Sequence, residues 1–385
     1  MRKINFIIFF SIVLSIYGLI NYYIFRTGWF ALPSGSPIRI IYTLIFLFVF
    51  LSFLAGRFLE RRSISWFSSL LVWTGSFWLG AMVYFFFIIL FLDLVRLINF
   101  LLPYFPDFIY ANYEQTKLII AIISTIIVFV VVVIGFINSL NPVITNLNIS
   151  INKVVHRTKE LNIAAATDIH LGTIICRARL ERIVDKINSL NPDIILLPGD
   201  VVDEDIGPVI KQNLGETLKK LDAKIGIFGI TGNHEYIGGA ENACKYLEEH
   251  RIFMLRDSYV IIDNTYYIVG REDRSIKGFT GKLRKPLEEI LEGVDRSYPV
   301  ILMDHQPIHL EEAMTNNIDL QLSGHTHHGQ LWPFNYITRK VYELDRGYKK
   351  MGETHYYVSV GAGTWGPPMR TNSRPEILNI KVKFK

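Results

Sequence analysis

The sequence predicts a chain in two parts. An N-terminal helical membrane region of about four spans covers residues 1–140, and an α/β domain covers residues 141–385. Three observations predict this. Residues 4–25, 40–56, 63–92 and 118–152 contain no Asp, Glu, Lys or Arg. Beyond residue 140, short apolar runs suited to buried strands alternate with amphipathic stretches at helical spacing, as in a layered α/β domain. Asp, Asn and His gather where those apolar runs end.

A span needs roughly 20 apolar residues to cross the hydrocarbon core. The first, third and fourth stretches reach that length, and the second falls slightly short without Arg39 and its neighbours. A signal peptide after Arg2 and Lys3 is the competing reading of the first stretch, and three further spans disfavour it. The third, "WFSSLLVWTGSFWLGAMVYFFFIILFL", is long enough to tilt and keeps its tryptophans in its first half, as an interfacial belt would. Asp93 and Arg96 follow its end and mark the interface rather than an intramembrane functional pair. Four spans put both termini on one side. That side holds Arg2, Lys3, Arg57, Arg61, Arg62, Lys153, Arg157 and Lys159, against Arg26, Arg39, Arg96 and Lys117 on the other, so the C-terminal domain is expected in the cytoplasm.

Bulk composition agrees. Half of the 385 residues are hydrophobic, and the mean hydropathy of +0.28 is high for a soluble protein. A net charge of +5 is small for this length and does not signal nucleic acid. Cys176 and Cys244, with no CxxC, exclude a disulfide framework and a thiolate zinc site, and read as small buried hydrophobes.

In "NPVITNLNISINKVV", Leu147, Ile149 and Ile151 alternate with Asn146, Asn148, Ser150 and Asn152. This is a half-buried strand rather than an extension of the fourth span, which ends near Asn138. "LNIAAATDIH" is a buried strand. Leu180, Ile183, Val184, Ile187 and Leu190 lie at helical spacing over 177–190. "DIILLPGD" is a strand closed by Pro-Gly. A helix at about 208–221, the strand "KIGIFGITGNHE" and the helix "GGAENACKYLEEH" follow. "YVIID" and "TYYIVG" form a hairpin around Asn264. "PVILMDHQP", "IDLQLSGHTH", "HYYVSVGAG" and "EILNIKVKF" complete the strands.

Ligands in open α/β sheets gather outside the carboxyl ends of strands. Five strand ends here deliver Asp168 and His170, Asp200, Asn233 and His234, His305, and His325 and His327. Carboxylate oxygen and neutral imidazole suit divalent Mn, Fe, Zn or Ni. A bridging carboxylate can hold two such ions roughly 3.5–4 Å apart, where they stabilise both oxygens of an in-line displacement at phosphorus and lower the pKa of a bridging water. Each fragment alone is an ordinary turn or core histidine; five in order, each after an apolar strand, form a signal.

The fragments "DIH", "GD", "GNHE", "DHQP" and "GHTH" resemble the five-motif signature of the calcineurin-like metallophosphoesterases, over about residues 160 to 378. "DIHLGTIICRARLERIVDKIN", "GHTHHGQLWPFN" and "SVGAGTWGPPMR" are similar to a bacterial membrane-bound subgroup with an N-terminal multi-span region. The resemblance implies a four-layer α/β/β/α sandwich. It implies that Asp168, His170 and His327 bind one metal, that Asn233, His305 and His325 bind the other, and that Asp200 bridges them. His234 would be the acid that binds no metal. His328 departs from many relatives and is expected beside the ligands or in solvent. Glu235 and Asp203 would orient the ligands. His156, His250, His309 and His355 read as ordinary structural histidines.

The expected activity is divalent-metal-dependent hydrolysis of a phosphodiester or pyrophosphate bond, with manganese the leading cofactor. Some relatives cleave the pyrophosphate of UDP-diacylglucosamine, so a lipid-linked substrate such as a UDP-acylglucosamine is one expectation; the spans as a mere anchor in the lipid bilayer is the other. No specific nucleic acid partner is expected. In "TWGPPMRTNSRP", Arg370 or Arg374 could meet phosphate at a substrate rim, or the stretch is a plain terminal loop. A different class of function, a transporter or sensor with a regulatory metal domain, is disfavoured by the near absence of intramembrane charge.

Overall fold

The computed structural model describes residues 3–153, 155 and 159–385, with the side chains of residues 3–7 and 9 excepted. Of the residues weighed for orientation, Arg2, Arg157 and the Lys3 side chain lie outside this set, as does His156. The chain divides into two compact units: Met1–Phe136 with Gly366–Met369, and Ile137–Trp365 with Arg370–Lys385.

The first unit is helical: α1 (Lys3–Ala31), α2 (Ile38–Arg62), α3 (Trp66–Leu101), the short α4 (Asp107–Ala111) and α5 (Tyr113–Ser139), whose last three residues belong to the second unit. Among the described residues, α2, α3 and α5 are long and apolar enough to cross a membrane. The second stretch reaches spanning length because its helix takes in Arg39 and runs on to Arg62. Ser65 starts α3 with a capping box: its hydroxyl accepts from Ser68 N, and Ser68 Oγ accepts from Ser65 N. Gly75 lets α2 and α3 approach closely, since a Cβ there would overlap the Phe53 backbone. Asp93 and Arg96 form an ion pair of 2.8 Å within α3.

The second unit is α/β and contains two mixed sheets. Its strands are β1 (Val143–Ile151), β2 (Glu160–Ala165), β3 (Ile194–Pro198), β4 (Gly226–Ile230), β5 (Phe253–Met254), β6 (Ser258–Ile262), β7 (Tyr266–Gly270), β8 (Val300–Met303), β9 (Leu320–Ser323), β10 (Gly347–Met351), β11 (Thr354–Val358) and β12 (Glu376–Phe384). One sheet has the order β1-β12-β2-β3-β4-β5, the other β10-β11-β9-β8-β7-β6. Strands β2 to β5 run parallel, as do β7, β8, β9 and β11.

Period-two alternation sends one face of both sheets into a shared core. Leu161, Ile163, Ile194, Leu196, Phe228 and Ile230 meet Ile268, Ile301, Met303, Leu320 and Leu322 there. Each such aliphatic side chain contributes about 1.5–3 kcal/mol on full burial. On the other face of the second sheet, Tyr267, Val269, Val300 and Leu302 pack with Leu287, Ile290 and Leu310.

Five more helices bear on the site or on the elements expected from sequence: α6 (Arg177–Asn188), α7 (Gly207–Lys211), α8 (Leu214–Leu218), α9 (Asn233–Gly238) and α10 (Ala240–Glu249). The single helix expected at 208–221 is thus broken. Asn213 sits in the left-handed region at φ 52°, which ends one helix and starts another. The hairpin around Asn264 forms as expected. Asp263 and Asn264 both take positive φ in the three-residue loop between the paired Ile262 and Tyr266, where the Thr265 N–H donates to the Ile262 carbonyl.

Candidate metal centre

Parallel register lines up the carboxyl ends of the strands. Ala165 pairs with Leu196, and Leu196 with Phe228 in the first sheet; Met303 pairs with Leu322 in the second. The loops that leave β2, β3, β4, β8 and β9 therefore open at one rim of the shared core. Asp168, His170, Asp200, His325 and His327 all adopt positive φ, between 46° and 69°. Non-glycine residues in that region cost roughly 1–2 kcal/mol each, a strain typical of functional loops.

Every residue the motifs single out reaches this rim. Asp168 Oδ1 lies 3.4 Å from His327 Nε2, and His327 Nε2 lies 3.0 Å from His170 Nε2. Asp200 Oδ2 lies 3.1 Å from His305 Nε2 and 3.9 Å from His170 Nε2. His325 Nδ1 stands 2.8 Å from Asn233 Oδ1. Asp168, His170 and His327 form one group able to hold a cation, and Asp200, His305 and His325 another, with the donor atoms of each group within 4.8 Å of one another. A third such group was not expected as ligands: His170, Asp203 and His234. Asp203 Oδ1 lies 3.0 Å from His234 Nδ1 and 3.6 Å from His170 Nδ1.

Backbone groups fix the carboxylates. The His325 N–H donates to both oxygens of Asp168, and the His234 N–H to Asp200 Oδ1 at 2.8 Å. Gly232 is needed for this approach, because a Cβ there would overlap Asp200 Oδ1. Buried Glu235 accepts from the N–H groups of Asp200, Val202 and Gly232, at 3.1, 2.9 and 2.7 Å, and so ties the β3 and β4 loops together.

The donor set fits divalent cations. His305 Nδ1 faces the Pro198 carbonyl at 2.8 Å, so it carries a ring proton, and Nε2 is the atom turned toward the site. That Nε2 is buried without a hydrogen-bond partner and points at a carboxylate oxygen. Burial opposes charge on His305, but Asp200 and Asp168 outweigh it and raise the imidazole well above its ordinary range, so that in the metal-free protein a proton stands where a divalent cation would. His327 is wired the other way: Arg370 Nη2 donates to its Nδ1 at 3.0 Å, which leaves the ring proton on Nε2.

For the protein groups alone, burial raises Asp168 above the usual carboxylate range. Burial would also raise Asp200, but the neighbouring His305, His234 and His170 hold it well below that range. Burial and then His305 depress His325 to about 3, and burial and Arg370 depress His327 well below its ordinary value. Burial opposes charge on His234, but Asp200 and Asp203 outweigh it and raise the imidazole to about 9. Burial and the Asp200 charge push Glu235 up to about 7, against its backbone hydrogen bonds.

For each of two residues one alternative is ruled out. Arg370 is no rim residue: it is fully buried, and its guanidinium donates to the carbonyls of Val360, Gly361 and Gly363 and to Ser373 Oγ. Its contact is with a histidine of the site, not with the mouth. His328 is not in solvent either; it is buried, with Nδ1 2.6 Å from Asp345 Oδ2. Arg374 is exposed. His250, His309 and His355 lie elsewhere, against the Tyr246 carbonyl, Glu311 and Tyr348. Trp365, in the stretch weighed as a substrate rim, is half-exposed, with its ring centroid 6.0 Å from that of His234.

The calcineurin-like phosphoesterase family profile matches residues 161–329. An uncharacterized metallophosphoesterase of Aquifex aeolicus is 36% identical over 59% of this chain and 86% of its own length. One from Campylobacter jejuni is 30% identical over 99% of both chains, helical unit included. A transmembrane protein with a metallophosphoesterase domain from Danio rerio is 31% identical over 68% of this chain and 62% of its own. A solved dimetal phosphatase from Danio rerio overlays with a TM-score of 0.32 and 10% identity, covering 55% of this chain and 89% of that one, too loosely to carry an argument. The chain belongs to the calcineurin-like metallophosphoesterases, metal-dependent hydrolases of phosphoester bonds.

Proposed function

We propose that the α/β domain hydrolyses a phosphodiester or pyrophosphate bond at two divalent cations. Asp168, His170 and His327 hold one, Asn233, His305 and His325 hold the other, and Asp200 bridges them. The observation that carries this reading is the buried, unpartnered His305 Nε2 aimed at Asp200 Oδ2 from 3.1 Å. Two such cations supply Lewis-acid stabilisation at phosphorus and a nucleophile drawn from water. The chain's own residues do the rest. His234, held through Nδ1 by Asp203, is protonated at neutral pH and donates to the leaving oxygen. Asp203 also steadies His170. Trp365 and the ring of Tyr342, 6.1 Å from that of His325, wall the approach.

We further propose a four-layer α/β/β/α sandwich over residues 141–385, four spans over 1–140, and a cytoplasmic domain. Manganese leads iron, zinc and nickel as the metal. A substrate carried in the membrane, such as a UDP-acylglucosamine, fits an enzyme built onto membrane helices.

The test is turnover of a nitrophenyl diester and of acylated and unacylated nucleotide sugars by the full chain, with each metal in turn. Asp200→Asn should abolish turnover and empty at least one metal position, because an amide removes the shared charge. Two metals per chain in that variant by elemental analysis would sink the bridging role.

A further inference from the structure

The helical unit encloses a cavity of about 540 Å³, walled by α1, α2, α3 and α5. That volume is in the range of small-molecule sites. Its depth is apolar, with Ile24, Phe46, Trp78, Phe85 and Ile89. Its charged residues all lie at one end of the bundle: Arg26 near the end of α1, Asp93 and Arg96 near the end of α3, and Lys117 at the start of α5. The Asp93 oxygens are engaged by Tyr23 Oη and by Arg96. Lys117 pairs with Glu114 at 2.8 Å. Arg26 lies over the Phe30 ring, 5.2 Å from its centroid, and forms no ion pair among the described residues. A second, more open groove of about 350 Å³, walled by Phe25, Trp29 and Phe30, shares Arg26 with the first.

We infer that this cavity and groove bind one anionic lipid, with the phosphate on Arg26 and the acyl chains in the two apolar spaces. Uncompensated positive charge where apolar walls meet selects an amphiphile with an anionic head. A sugar or nucleotide would strand its polar groups against those walls, and a zwitterionic lipid, whose phosphate could also meet the guanidinium, would bring a second positive charge to an end already rich in Arg and Lys. Inorganic phosphate shares the headgroup chemistry but has nothing to place in the cavity. The inference rests on the helices lying in a bilayer and not on the hydrolytic reading.

The full chain is placed in phosphatidylcholine vesicles containing either phosphatidylglycerol or phosphatidylcholine brominated on the acyl chains. The emission of Trp78 is read as the difference between the wild type and Trp78→Phe. Brominated phosphatidylglycerol should half-quench Trp78 at a mole fraction roughly fivefold lower than brominated phosphatidylcholine. Arg26→Gln should erase that preference, and Arg26→Lys should keep it, so a poorly folded first variant does not decide the result. Inorganic phosphate at tens of millimolar should leave the preference intact, and Asp200→Asn should too. Equal quenching by the two lipids, a preference that survives Arg26→Gln, or a preference abolished by inorganic phosphate would overturn the assignment.

Discussion

Asp203 touches two histidines with different tasks, and the difference lies in which atoms face it. His170 turns Nε2 toward His327, while His234, edge-on to His170 with ring centroids 4.5 Å apart, is not among the ligands proposed for the metals. His234→Ala should therefore leave the metal content unchanged and lower turnover by about 10²–10⁴-fold, most for substrates with poor leaving groups. Equal losses for nitrophenyl and alkyl esters would reject the proton-donor role. The pH dependence follows from the raised pKa of about 9. The imidazolium is the active form, so turnover is lost as pH rises through its midpoint. Bound cations repel that charge, so the alkaline limb should fall below pH 9, and it should not move with metal concentration.

His305 and His327 differ in a second respect. His305 is held as the imidazolium by Asp200 beside its Nε2, whereas His327 is neutral and Arg370 at its Nδ1 puts the one ring proton on Nε2. A cation bound at the Asp168, His170 and His327 group must displace that proton. Calorimetric titration of metal into the metal-free protein, repeated in buffers of different ionisation enthalpy, should resolve two binding events. Both should release protons and weaken as pH falls, and Arg370→Gln, which lets the His327 proton move to Nδ1, should lower the release in one event by about one. Proton release unchanged in that variant would show that Arg370 does not set the His327 tautomer.

At the scale of elements, α9 owes its position to one side chain. Glu235 gathers three buried N–H groups from two loops, and those loops carry Asp200 and Asn233. Glu235→Ala would strand donors that each cost about 1–3 kcal/mol when buried without a partner. The expected result is a lower thermal midpoint together with weaker metal binding. Glu235→Gln should lose less, since an amide oxygen still accepts. A midpoint unchanged in the alanine variant would show that the loops do not depend on this tie.

The strands that carry the site were legible in sequence because alternation at period two is imposed locally by the pleat, as in Leu161, Ile163 and Ala165. The break at Asn213 was not, because the helical apolar pattern runs through it and only a backbone angle interrupts it. Nor were Arg370 and His328. Each is polar and close in sequence to the site, so Arg370 reads as a rim or loop residue and His328 as beside the ligands or in solvent. Their burial depends on partners brought in from elsewhere: carbonyls of the loop after β11 for Arg370, and Asp345 for His328. Composition cannot announce such long-range satisfaction of a buried polar group.

For the molecule as a whole, the open question is which face of the bilayer the α/β unit occupies. Orientation is set while the chain inserts, by Lys and Arg near the span ends, and acidic neighbours weigh little. Ion pairs of the folded state, such as Arg57 with Glu60 or Lys153 with Asp319, therefore do not discount those cations. Arg57, Arg61 and Arg62 close α2, and Lys153 and Lys159 follow α5, all on the side where the domain emerges if the spans alternate. Arg26, Arg39, Arg96 and Lys117 hold the opposite side. A fluorescent protein fused after Lys385 should fluoresce, and alkaline phosphatase fused at the same point should stay inactive, as cytoplasmic fusions do. Replacing Arg57, Arg61 and Arg62 together with Gln removes the basic cluster between α2 and α3 and should make the population mixed, so that phosphatase activity rises from background. An active phosphatase fusion on the unaltered chain would place the domain outside the membrane and reverse the assignment.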